Sequence, residues 1–182
     1  GTRAMFYNTD LFEEAGLDPE NPPETWGELL EAAKKIDALG DGIYGFGMGS
    51  GEPQTPWQEW FLPAVWGNNG NVLSEDMMTS TMDSEEVIEA AHMYQDLSRY
   101  SLKTKAKDLR EVFGSGKIGL WIAQADNITE FSSTYPNLNF MVCYVPKPAI
   151  DKGFHASFAG GEILTIPEAS QNKEEAGKFI EF

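Results

Sequence analysis

The sequence has one cysteine, so no disulfide can form within the chain. That residue, Cys143, lies in Phe140-Met-Val-Cys-Tyr-Val145, which reads as a buried strand with Cys143 as a small core hydrophobe rather than a nucleophile. Histidine is almost as scarce. His92 and His155 stand far apart, and neither falls in a metal-ligand spacing such as His-x-x-x-His. Positive charge is also in short supply: 13 Lys and Arg against 29 Asp and Glu leave a net charge of −16. A chain this acidic repels phosphate backbones and anionic lipid, which argues against nucleic acid and membrane surfaces as partners. No apolar run approaches the roughly 20 residues of a spanning helix, so direct membrane insertion is not expected. No basic region followed by an apolar stretch opens the chain, and no repeat or low-complexity segment is present.

Catalytic patterns are missing too. There is no Gly-x-Ser-x-Gly elbow. Phe113-Gly-Ser-Gly-Lys117 is glycine-rich, but no Gly-Lys-Ser/Thr follows to cradle phosphate. Asp37 to Gly42 offers too few oxygen ligands for a calcium loop. No catalytic residue, metal site or cofactor is therefore expected.

What is present is a 182-residue chain, 41% hydrophobic and 12% aromatic, long enough to bury a core. Ala4 to Tyr7 reads as a strand, and Asn8 or Thr9 caps a short helix over 10–15. Thr25 with Glu28 forms a capping box, and Leu29, Leu30, Ala33 and Ile36 continue it at helical spacing to a stop at Gly40. Tyr44 to Met48 is a strand laced with glycine, which lets a neighbour approach closely. Thr55-Pro56 opens a helix that ends at Gly67. Asp83 with Glu86 marks the start of another, running to about Ser98. A short helix over 109–113, a buried strand over 118–123, and a short helix from Asp126 or Asn127 to about Ser132 come next. Strands over 140–145 and 162–166 and a last helix after Ser170 complete the chain. Strands mixed with helices throughout indicate an α/β architecture.

Four segments carry a resemblance. They are Phe6-Tyr-Asn with Leu11-Phe and Ala15-Gly-Leu; Pro23-Glu-Thr-Trp-Gly-Glu-Leu running into Ala32-Ala-Lys-Lys-Ile; Phe113-Gly-Ser-Gly-Lys-Ile-Gly-Leu; and Gly160-Gly-Glu-Ile-Leu-Thr-Ile-Pro with Ser170-Gln-Asn-Lys and Ala176-Gly-Lys-Phe-Ile-Glu-Phe. In this order and spacing they resemble the extracellular solute-binding proteins of sugar ABC importers, the family that includes maltose-binding protein. The resemblance implies a type II periplasmic-binding-protein-like fold whose two lobes close on a ligand like a hinge. It implies a mixed sheet flanked by helices, forming one of those lobes. Residues 1–10 would be a hinge crossover strand, 11–159 the second lobe, and 160–182 a return strand and helix of a first lobe that precedes this chain. It also implies a sugar or oligosaccharide as cargo, ABC permease subunits as partners, and an extracellular or periplasmic location with a lipid anchor on the whole protein. The tail over 162–182 is expected either to fold back on its own lobe or to exchange with a second copy as a swapped homodimer.

Sugars are held by aromatic faces and planar polar groups. Trp57 matches a stretch that supplies an aromatic sugar contact in the family. Asp126 stands where the family often has a stacking tryptophan, within Gln124-Ala-Asp-Asn127, so maltodextrin-like stacking is not expected there. Ligand-binding candidates are Trp57, Gln124, Asp126, Asn127, Gly160, Gly161 and Glu162. Asp126 reads equally as a plain helix cap. Trp26, Trp60, Trp66 and Trp121 fit core positions. Asn127-Ile-Thr129 matches a glycosylation sequon. Two other functions compete: a carbohydrate-active enzyme domain, whose paired carboxylates sequence alone does not exclude, and an interaction module without a small ligand.

Overall fold

The structure is a computed structural model that describes residues 1–50, 60–161 and 163–181. Its centre is a sheet of β1 (Arg3–Asn8), β2 (Tyr44–Gly49), β3 (Ser101–Thr104), β4 (Ile118–Gln124) and β5 (Phe140–Cys143), in the order β3-β2-β4-β1-β5. β2 runs parallel to β3 and β4, whereas β1 runs antiparallel to β4 and β5. The register sets Arg3 opposite Gln124 and Phe6 opposite Trp121. Helices α1 (Thr9–Glu14), α2 (Trp26–Asp37), α3 (Leu62–Gly67), α4 (Glu85–Leu97), α5 (Ala106–Gly114), α6 (Asn127–Thr134) and α7 (Lys173–Glu181) connect and flank these strands. The result is a mixed α/β fold.

The interior is aromatic. Phe131 is fully buried and lies 5.2 Å from the Phe113 ring, 5.7 Å from Phe140 and 5.8 Å from Phe6. A smaller cluster of Ala64, Val65, Val87 and Ala90 joins α3 to α4, with Trp26 packed against it. Trp60 is buried and donates its indole N–H to the Ile122 carbonyl at 2.8 Å, so it belongs to the core.

Glycine lets helix and sheet approach closely. A Cβ at Gly45 would stand 1.9 Å from the Ala33 carbonyl oxygen, a backbone atom of α2 that cannot swing away. Gly45→Ala should therefore cost about 1–3 kcal/mol through forced separation of α2 from β2, read as a fall in the denaturant midpoint. An unchanged midpoint would mean that the two elements are not held this close.

The capping box forms as expected. Glu28 N–H donates to Thr25 Oγ1 at 3.3 Å, and Glu28 Oε2 accepts from the Thr25 and Glu24 N–H groups at 2.9 Å each. The Glu24 N–H, and with it the Thr25 N–H, hold the Glu28 carboxyl below its ordinary pKa. The resulting stability is present above the unfolded-state value and is lost as pH falls through the lower folded value. Thr25→Ala should cost about 1 kcal/mol, checked by thermal unfolding at neutral pH; no loss would show that the cap is dispensable.

Several expected elements differ in the structure. The cap signal Asp83/Glu86 is displaced by one residue: Ser84 is the N-cap, without a side-chain cap bond. β5 stops at Cys143 rather than Val145, because the chain turns off and the Val145 carbonyl lies 2.9 Å from His155 Nδ1. β3 was not expected at all. The strand expected over 162–166 does not form among its described residues, since nothing pairs with it; Ile163 and Leu164 are exposed. α7 buries no described residue, and Phe179 is 73% exposed, so the tail does not fold back on the lobe. The expected helix start at Thr55-Pro56 lies outside the described residues.

Candidate functional site

Because β2, β3, β4 and β5 share one direction and β1 opposes them, one edge of the sheet collects Gly49, Thr104, Gln124, Cys143 and Arg3. Open α/β sheets bind ligands beyond the carboxyl ends of their strands, where loops and helix starts diverge. The N-terminal segment is clamped into this edge from both sides. The Ala125 N–H donates to the Thr2 carbonyl at 3.0 Å on one side; on the other, the Arg3 N–H donates to the Phe158 carbonyl at 3.2 Å, and the Gly160 N–H to the Gly1 carbonyl at 2.9 Å. The Ser157 hydroxyl adds a bond to the Arg3 carbonyl at 2.7 Å. The sequence candidates Gln124 and Gly160 are thereby drawn to opposite flanks of residues 1–3.

The remaining candidates occupy different positions on this edge. Asp126 is exposed, stands at the N-cap of α6, and makes no side-chain cap hydrogen bond. Asn127 points inward: it is 2% exposed, and its Nδ2 donates to the Gln124 carbonyl at 2.8 Å. That burial removes the sequon amide from the surface. Gly161 is exposed with open space around it. Trp57 and Glu162 lie outside the described residues.

Trp121 is a core residue as expected, 3% exposed and opposite Phe6 in mid-strand. Sequence reasoning missed two contributors: Arg3 is buried with its guanidinium 6.0 Å from the Phe158 ring, and the Tyr144 ring lies 5.4 Å from that of His155, tilted by 30°. A signal existed for Arg3, a basic residue in an acidic chain directly ahead of Phe6-Tyr-Asn. Nothing in the sequence paired Tyr144 with His155, which are joined only by the turn after β5.

The edge offers hydrogen-bond donors, acceptors and aromatic surface. Burial pushes the Cys143 thiol up to about 12, so it stays protonated at neutral pH and is no nucleophile. Among the described residues no cluster of three or more His, Cys, Asp or Glu could hold a metal.

The family model for the bacterial extracellular solute-binding protein matches residues 1–182. The chain belongs to that family. The chain is 33% identical over 186 residues to a Brucella abortus protein that bears only the name of a putative binding protein, covering 99% of this chain and 44% of that one. It is 27% identical over 153 residues to the sn-glycerol-3-phosphate-binding periplasmic protein of Agrobacterium fabrum, covering 78% of this chain and 33% of that one. A maltose-bound protein of T. maritima shares the fold with a TM-score of 0.77 at 27% identity, over 98% of this chain and 47% of that one. The chain spans less than half the length of these relatives. The structural neighbours are two-lobed, and the family comprises substrate-binding proteins of ABC importers, not enzymes. No described helix is long and apolar enough to cross a membrane.

Proposed function

We propose that this chain is the second lobe of the capture subunit of an ABC importer and that it binds a carbohydrate in a cleft closed by a first lobe. Residues 11–159 would form the lobe proper. Residues 1–10 and 160–182 would carry the chain from and back to the partner lobe. The observation that carries this reading is Asp126: it sits exposed at the carboxyl edge of the sheet, released from capping α6 and next to the inward-turned Asn127. A carboxylate so placed can accept hydrogen bonds from two sugar hydroxyls. The exposed Ile163, Leu164 and Phe179 of the tail fit a segment whose packing partner is another lobe, and a second copy could take that place when the chain stands alone. Delivery would be to permease subunits outside the cytoplasm.

In a two-lobed protein containing this chain, Trp57→Ala and Asp126→Ala should each weaken sugar binding by about 1–3 kcal/mol, measured by calorimetry. Unchanged affinity in both variants would remove the site assignment. Chromogenic glycosides should remain intact in the same preparation, and their hydrolysis would favour an enzyme instead.

A further inference from the structure

The edge of the sheet opposite the candidate site has a cavity of its own, of about 500 Å³. Asn8, the last residue of β1, lies deep in it, between Gly114 and Gly116 on one side and the more exposed Asp10, Thr134 and Asn137 on the other. Residues 1–3 and 157–160 are joined at the far end of β1, so this cavity is separate from the candidate site above.

Asn8 is 3% exposed. Its Oδ1 accepts from the Leu11 N–H at 3.1 Å and so caps α1. Its Nδ2 makes no hydrogen bond among the described residues. That nitrogen faces Gly116, 3.7 Å from the place a Cβ would take there. Buried polar groups are nearly always paired, so the amide calls for an acceptor inside the cavity.

The walls call for positive charge. α5 ends at Gly114 and α6 at Thr134, and neither helix has a basic residue in its last turn. Each helix C-terminus presents about half a negative charge. Asp10 is the one charged residue on the lining among the described residues, and its carboxylate meets only a neutral donor, Asn139 Nδ2, at 3.0 and 3.1 Å. An anion is therefore repelled. A bare metal ion has no lone pair to accept from Nδ2. A protonated amine satisfies Asp10 and the two helix ends, and a hydroxyl on the same molecule accepts from Asn8.

We propose that this cavity is a second small-molecule site, which takes a protonated amine bearing a neighbouring hydroxyl, the amino-alcohol class. It stands apart from the capture function and does not depend on it.

The test is a proton–nitrogen NMR titration of this chain with ethanolamine hydrochloride. The side-chain amide of Asn8 and the backbone N–H of Gly116 should move saturably at millimolar concentration. Ethylene glycol lacks the charge and ethylammonium lacks the acceptor, so each should bind at least about threefold more weakly. Asp10→Asn should weaken ethanolamine binding roughly tenfold, the value of one charge-assisted hydrogen bond. Asn8→Ser keeps a cap for α1, removes Nδ2 and identifies the Asn8 signal by its disappearance. It should bind ethanolamine no better than ethylammonium, read at Gly116. Melting temperatures of both variants confirm folding. Absence of any saturable movement, or equal movement with sodium chloride, overturns the site. Equal affinity for ethylene glycol, or ethanolamine binding unchanged in Asp10→Asn, overturns the amine assignment. Ethanolamine binding unchanged in Asn8→Ser overturns the role of the Asn8 amide.

Discussion

Replacing Phe131 with alanine is expected to destabilise the chain by about 3–5 kcal/mol, the cost of removing a buried phenyl ring and leaving a cavity. Phe131 projects from α6 into the middle of the core and is fully buried. Its ring meets Phe6 edge-on at 5.8 Å and Phe140 edge-on at 5.7 Å, and it lies 6.1 Å from Trp121 and 6.0 Å from Tyr135. These neighbours belong to β1, β5, β4 and the end of α6, so no single element can close the gap by moving. The site matters for function as well, because α6 carries Asp126 and Asn127 at its start. A urea midpoint lowered with an unchanged slope is the expected result. A loss below about 1 kcal/mol would mean that the site collapses readily, contrary to the tight ring packing.

Much of this fold is legible in the sequence wherever the signal is local. The Thr25/Glu28 box fixes the start of α2 because both halves of the motif act within one turn. The glycines of Tyr44 to Gly49 announce close approach, and the structure supplies the groups that approach: the Ala33 carbonyl at Gly45 and the Trp60 indole at Gly49. Where pairing is non-local, sequence fails. β3, Ser101–Thr104, is four residues of mixed polarity, and it is a strand because β2 runs beside it. The opposite error occurs at Ile163 to Ile166, where an apolar, β-prone run lacks a neighbour and stays irregular. Pattern reports propensity, whereas a strand also needs a partner.

The candidate site divides the same way. Gln124, Asp126 and Asn127 could be singled out because the resemblance puts a ligand contact close to the end of the strand that follows Phe113-Gly-Ser-Gly-Lys117. Their separate fates could not. Asp126 turns to solvent and Asn127 turns to the interior, a choice made by the hydrogen bond from Asn127 Nδ2 to the Gln124 carbonyl. Nor could the sequence show that residues 1–3 bring Gln124 and Gly160 onto one edge, since those contacts join segments more than a hundred residues apart.

Calorimetric titration of this chain and of a two-lobed protein containing it, against the same neutral sugar, tests the central claim most directly. If two lobes share the ligand, each supplies part of the contact area. A two-lobed protein of micromolar affinity, about −8 kcal/mol, should keep about half of that in one lobe, which leaves millimolar binding or weaker. The expected pair of results is one-to-one micromolar binding by the two-lobed protein and weak millimolar binding by this chain. Submicromolar binding by this chain alone, or no sugar binding by the two-lobed protein, would contradict the assignment of this chain as one lobe of a sugar-capture subunit.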